Sequence, residues 1–181
     1  MRKAVEVTPG FCILWSLLLL VLPLHLILAA MGAALVHELC QWAVIRWLGG
    51  QVLGLTVGAG GMEMETQPMR PGRELVCALA GPAGSMMLIL LYPYAPLLSL
   101  CALVQGCFNL LPLYPLDGGR AVRCVLEILG HQGWIQFIEI GTLLFLLIAA
   151  VGVRMGPIPF IVWAMLAFRK IPCKDGRIGV Q

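Results

Sequence analysis

His37 and Glu38 are the adjacent side chains whose types and setting most clearly suggest chemistry. They lie inside the apolar stretch that runs from Ala33 to Val44. An ionisable side chain at the centre of a membrane helix costs roughly 2.5–3.5 kcal/mol on insertion, so such a pair predicts a functional site. Residues four apart share one face of a helix, and residue 41 would therefore lie beside His37.

The spacing of these residues is that of a metal-binding helix with the sequence His-Glu-x-x-His. In such a helix two imidazoles bind zinc, and the glutamate acts as a base toward the water that zinc activates. The chain departs from the pattern at Gln41, whose amide oxygen is a weak zinc ligand compared with imidazole. Gln41 could be that weak ligand or a non-ligand amide. Cys40 is the alternative third ligand because a thiolate binds zinc strongly, and His25 is a more distant candidate.

Asp117 is the second acidic group expected near the bilayer. It follows Pro112 and Pro115, which prevent a regular helix and leave backbone groups that need partners. The two glycines after it, at 118 and 119, let the chain turn back on itself. We therefore expect the carboxylate of Asp117 to point inward.

The composition is that of an integral membrane protein. Of the 181 residues, 60% are hydrophobic and only 12% are charged, which excludes an ordinary soluble domain. The net charge of +3 does not predict nucleic-acid binding, since the basic residues are spread over loops rather than gathered into a patch with aromatics. The seven cysteines form no Cys-x-x-Cys pair, so we expect reduced, packed thiols.

The apolar segments predict an all-α polytopic membrane protein with a single membrane-embedded domain over 1–181. A crossing helix needs about 17–25 residues. Alternation over residues 52–65 predicts a small β-hairpin after the second span, and residues 120–129 suit a short amphipathic helix. Pro23 is interpreted as a kink in the first span, which is expected to be retained rather than cleaved. The six predicted spans are 11–30, 32–48, 74–92, 97–111, 134–153 and 157–168.

The distribution of basic residues predicts the orientation of these spans. With six crossings and both termini in the cytoplasm, Arg154 is the one Lys or Arg of the twelve that falls outside. Such a bias follows the positive-inside rule. In this topology His37 lies roughly 16 Å from the cytoplasmic end of its helix, at bilayer depth.

Three segments in order now resemble the site-2 protease family of intramembrane zinc metalloproteases. Residues 37–41 match its HExxH helix except at Gln41, and Leu79–Gly84 resembles its Ala-Gly-Pro segment. Asn109–Arg120 resembles its second ligand motif, NPxDG, with Tyr114 where the asparagine of that short form stands. The glycine-rich hairpin also stands where the family has a sheet-like element.

The resemblance implies a zinc (Zn2+) cofactor and a set of roles. His37 and Asp117 would be ligands and Glu38 the general base, with Gln41 or Cys40 as the open third ligand. A membrane-protein substrate and the lipid bilayer are the implied partners, and a regulatory membrane partner is compatible with them. Candidate substrate-binding residues are Asn109, Gly81 and Pro82.

We therefore expect a zinc-dependent intramembrane endopeptidase in a bacterial cell membrane. Its closest likeness is to the sporulation-type members, because no PDZ or CBS domain is expected between or after the spans. The alternative is a catalytically inactive relative that binds membrane segments, since Gln41 replaces the second histidine. A small transporter using His37 and Asp117 is less favoured because no inverted repeat of broken helices is visible.

Overall fold

The computed structural model describes residues 5–58 and 61–152. The chain forms two compact units, Met1–Gln132 and Gly133–Gln181, and the predicted site residues all belong to the first. Within the described residues, the helices and strands in chain order are β1 (Glu6–Val7), α1 (Pro9–Val21), α2 (Leu24–Trp47), β2 (Val52–Gly58), β3 (Gly61–Thr66), α3 (Pro71–Met87), α4 (Pro96–Asn109), α5 (Asp117–Ile128) and α6 (Ile135–Gly152).

Among the described residues, three helical segments are long and apolar enough to cross a membrane: Leu24–Trp47, Pro71–Leu91 and Gln132–Ala149. Two shorter apolar helices, α1 and α4, accompany them. The protein is thus an integral membrane protein that is mostly helical with a small sheet. The prediction of six spans is not confirmed, and its last span, 157–168, lies outside the described residues.

The first two helices are divided at a different point from the one predicted. The sequence suggested a single span over 11–30 with a kink at Pro23, whereas α1 ends at Val21 and α2 begins at Leu24. Pro23 is extended (φ −66°, ψ 142°) and caps α2, because a proline ring has no amide proton and favours a helix start over a helix interior. The apolar residues 24–31 consequently lengthen α2 to 24 residues.

The predicted hairpin forms and gains a third strand. β2 and β3 pair antiparallel with Leu55 opposite Met64, and β1 pairs parallel to β2 with Val7 opposite Val57. The strand order is therefore β1-β2-β3. Thr8, just before α1, extends this pairing because its amide donates a 2.9 Å hydrogen bond to the carbonyl of Val57.

Small residues let the helices of the first unit approach closely. A Cβ added to Gly106 of α4 would lie 3.1 Å from the Cβ of Ser85 on α3. The hydroxyl of Ser99, fully buried on α4, donates a 2.7 Å hydrogen bond to the carbonyl of Leu88 at the end of α3. Because water is absent from the bilayer core, such internal partners for helix ends are needed there.

Candidate functional site

The centre of the site is a buried histidine halfway along α2. His37 is 2% exposed, and it lies about 15 Å from Trp47 at a rise of about 1.5 Å per residue. Gln41, one turn further on, is also buried. The predicted i, i+4 face of this helix is therefore turned into the protein.

Asp117 meets this face from a distant part of the sequence. Its Oδ2 lies 2.9 Å from Nε2 of His37, 80 residues away along the chain. The amide nitrogen of Gln41 donates a 3.0 Å hydrogen bond to the other carboxylate oxygen, Oδ1. The structure thus brings together three of the side chains singled out in the sequence.

Asp117 is positioned by the backbone around it. It is the first residue of α5, and the loop before it packs directly on Gly118 and Gly119. A Cβ on Gly118 would overlap the carbonyl of Leu110, and one on Gly119 would overlap the backbone of Leu113. Only glycine at both positions allows the start of α5 to lie so close to the loop.

The other ring nitrogen of His37 has a partner that the sequence did not suggest. Nδ1 lies 2.9 Å from Oγ of Ser85, a fully buried residue of α3. Ser85 belongs to none of the motifs, so its residue type did not predict a place in the site. Its spacing is informative, because Ser85 follows Gly81 by four residues and therefore lies on the same face of the helix.

Glu38 has a carboxylate oxygen that lacks a hydrogen-bond partner. Its Oε2 is buried and has no hydrogen-bond partner among the described residues. The carboxylate is near enough to His37, Asp117 and Arg120 to interact with their charges. A buried carboxylate oxygen without a partner is costly, so this atom is available to a water or substrate group.

Glycines of α3 provide the space for the histidine ring and the neighbouring thiol. A Cβ on Gly81 would lie 2.5 Å from Nε2 of His37, and one on Gly84 would overlap Sγ of Cys40. Gly81 and Gly84 therefore set how closely α3 can approach α2.

We expect Gly81→Ala to destabilise the protein by about 1–3 kcal/mol, because the added methyl group overpacks the contact with His37. Thermal unfolding in detergent micelles measures the change. Gly72→Ala on the same helix is the matched control, since a Cβ there meets nothing within 4 Å. Equal stability of the Gly81→Ala and Gly72→Ala variants would contradict the close contact.

The chain is similar in sequence to one known protein and in fold to another. The chain is 32% identical over 130 residues to a curated zinc metalloprotease of Methanocaldococcus jannaschii, a match over 64% of this chain and 36% of that protein. The fold matches the solved site-2 protease from Methanocaldococcus jannaschii with a TM-score of 0.70 and 21% identity, over 100% of this chain and 96% of that one.

No family model matches the chain. The chain spans about a third of the length of the curated metalloprotease that it matches. The likeness to the solved site-2 protease, at 21% identity, concerns the fold alone.

The other predicted site residues lie around the centre of the site without joining it. Cys40 packs against Gly84, and His25 is exposed near the start of α2, about 18 Å from His37 along the helix axis. Asn109 is the last residue of α4 and is half-buried. The roles of Cys40 as a ligand and of Asn109 in substrate binding stay predictions.

Gly81 and Pro82, also predicted to bind substrate, have packing contacts in the structure. Gly81 lies against the ring of His37, and the carbonyl of Pro82 would be 3.3 Å from a Cβ on Gly106. Pro82 is fully buried. The roles of Gly81 and Pro82 in substrate binding stay predictions.

His37 and Asp117 would be full ligands of zinc, which takes imidazole and carboxylate donors, whereas Gln41 could add only a weak amide donor. Within the described residues, no three His, Cys, Asp or Glu side chains are grouped as a metal site. The described residues therefore bring together two full ligands, one fewer than a catalytic zinc site usually has.

Arg120 adds a positive charge beside the carboxylate. Its guanidinium lies 3.9 Å from Oδ1 of Asp117 and 3.6 Å from Oε1 of Glu74 on α3. It also links the start of α5 to α3.

Proposed function

We propose that this protein is a zinc-dependent intramembrane endopeptidase that cleaves a membrane-tethered protein. The observation that carries the proposal is the 2.9 Å separation between Nε2 of His37 and Oδ2 of Asp117, buried midway along an apolar helix. Two metal-ligand side chains brought together from 80 residues apart at such a depth are costly without a function.

His37 and Asp117 would hold the zinc ion, with Gln41 as a weak third donor. Zinc in such a site supplies Lewis acidity, which makes water nucleophilic at neutral pH. Oε2 of Glu38 would accept the proton that the attacking water loses and pass it to the leaving amine of the peptide. The missing hydrogen-bond partner of this atom supports that role.

The depth of the site supports a membrane segment as the substrate. A site about 15 Å along α2 from Trp47 is reached more readily by a transmembrane segment than by a soluble peptide. The proposal places the protein in a bacterial cell membrane with both termini in the cytoplasm, and it leaves room for a regulatory membrane partner.

An inactive relative that binds membrane segments is the second candidate. The hydrogen bond from Gln41 to Asp117 favours it, because imidazole and amide together satisfy both carboxylate oxygens without an ion. A protein of this kind would retain the fold and lack the metal.

Zinc titration of the purified chain in detergent separates these candidates. The endopeptidase is expected to bind about one zinc per chain and, in liposomes, to cleave a fluorescent protein fused to a transmembrane segment. Removal of zinc by a chelator should stop cleavage, and added zinc should restore it. A folded chain that binds no zinc and cuts no fusion would instead be the inactive binder.

A further inference from the structure

We propose that Arg46, Arg70 and Arg73 form a surface that binds the headgroups of anionic phospholipids. These three residues, called the arginine surface below, lie where α2 ends and α3 begins. The inference goes beyond the proposed function and is independent of it, because lipid binding at this surface needs neither a metal ion nor cleavage of a substrate.

Contacts between the two helices gather the three arginines at one place. Arg46 lies in the last turn of α2, and Arg70 is the residue that precedes α3. Arg73, in the first turn of α3, donates a 3.5 Å hydrogen bond from Nη1 to the carbonyl of Leu48 at the end of α2. The end of one helix is therefore joined to the start of the other, and the arginines share that junction.

The positive charge of the arginine surface is not balanced by acidic side chains. All three arginines are exposed. Within the described residues, none of the three forms an ion pair. Glu74, the acidic residue in the first turn of α3, is engaged elsewhere, since its Oε1 lies 3.6 Å from the guanidinium of Arg120. The surface can therefore accept an anion from outside the protein.

The direction of the helix dipoles gives a second reason to expect an anion. A basic residue is favourable at the C-terminal end of a helix and unfavourable at the N-terminal end, where the dipole is positive. Arg46 is accordingly explained by its place in the last turn of α2. Arg70 and Arg73 stand at the N-terminal end of α3, against this preference. A bound anion would turn an unfavourable placement into a favourable one.

The position of the surface along the helices favours a phospholipid as that anion. Leu24–Trp47 and Pro71–Leu91 are each long and apolar enough to cross a membrane, and the arginines mark the end of the first and the start of the second. Trp47 is 81% exposed, and exposed tryptophans are typical of the depth of lipid headgroups. A guanidinium can bind a phosphate through two parallel hydrogen bonds. Charge and depth therefore both fit an anionic headgroup.

The test measures lipid binding to the full chain in detergent micelles by native mass spectrometry. The wild type is titrated with phosphatidylglycerol, which is anionic, and with phosphatidylcholine, which has no net charge. A basic residue near an anionic membrane surface contributes about fivefold in affinity, so we expect three of them to give a preference of about 100-fold for phosphatidylglycerol.

Variants assign this preference to the three side chains. Replacing Arg46, Arg70 and Arg73 together by Gln should lower the affinity for phosphatidylglycerol by about 100-fold and leave that for phosphatidylcholine unchanged. Replacing the same three by Lys keeps the charges and should stay within about fivefold of the wild type. Arg123→Gln removes one positive charge from α5, where the guanidinium lies 4.2 Å from the ring centroid of Tyr114, and should bind both lipids like the wild type.

A second measurement needs no variant. Raising the salt concentration from about 0.1 M to about 1 M shortens the screening length from about 10 Å to about 3 Å, so the wild type should lose most of its preference for phosphatidylglycerol. Equal affinity for the two lipids at low salt would overturn the proposal, as would a glutamine variant that keeps the preference. Displacement of bound phosphatidylglycerol by an equal concentration of an acidic peptide would identify a protein segment as the occupant instead.

Discussion

Glu38→Gln is expected to lower the rate of cleavage by about 10²–10⁴-fold, the usual contribution of a general base. The substitution keeps the size of the side chain and removes its ability to accept a proton from water. The affinity for zinc should change little, because the proposed ligands are His37 and Asp117. Cleavage of the fluorescent transmembrane fusion and the zinc content of the same preparation measure the two effects together.

The matched control for this change is Glu127→Gln. Glu127 lies on α5 and is exposed, so the same loss of one negative charge occurs away from the site. Its variant should cleave like the wild type. A Glu38→Gln protein that still cuts at the wild-type rate would refute Glu38 as the base.

Gln41→His is expected to raise the affinity for zinc by more than about 10–100-fold. That range is the usual effect of changing a residue that only hydrogen-bonds to a metal ligand, and a direct ligand should have a larger effect. Gln41 is buried and already contacts Asp117, so an imidazole at this position faces the same carboxylate. Imidazole is a stronger zinc ligand than an amide. Competition titration with a zinc indicator gives the affinity, and the cleavage assay shows whether the rate rises with it.

Leu39→His is the control for adding a histidine to α2. Leu39 is 52% exposed and lies two residues from both His37 and Gln41, on the far side of the helix. The Leu39→His variant should bind zinc with the same affinity as the wild type. If Gln41→His also leaves the affinity unchanged, another group already serves as the third ligand.

The sequence predicts the helices well where a single local pattern decides them, and less well where two patterns compete. Pro23 sits inside an apolar stretch long enough for one span, so its interpretation as a kink was reasonable but wrong. The strand β1 could not be predicted, because two residues have no pattern of their own and depend on pairing with β2 fifty residues later.

The same division applies to the site. His37 and Gln41 follow from helix periodicity, and the convergence of Asp117 follows from the resemblance of three ordered motifs. Ser85 shares a helix face with Gly81, but its contact with His37 also depends on how α3 packs on α2, which the sequence does not show. Cys40 lies three residues from His37 and its thiol packs against Gly84, so its role as a ligand stays a prediction.

The contact between the loop at 110–114 and Gly118–Gly119 has a consequence for how this sequence can diverge. Any larger residue at 118 or 119 would push the start of α5 away and carry the carboxylate with it. We therefore expect glycine at both positions to be conserved as strongly as Asp117 itself. A homologue that lost either glycine would keep the reactive side chains but lose the position of Asp117 that the site needs.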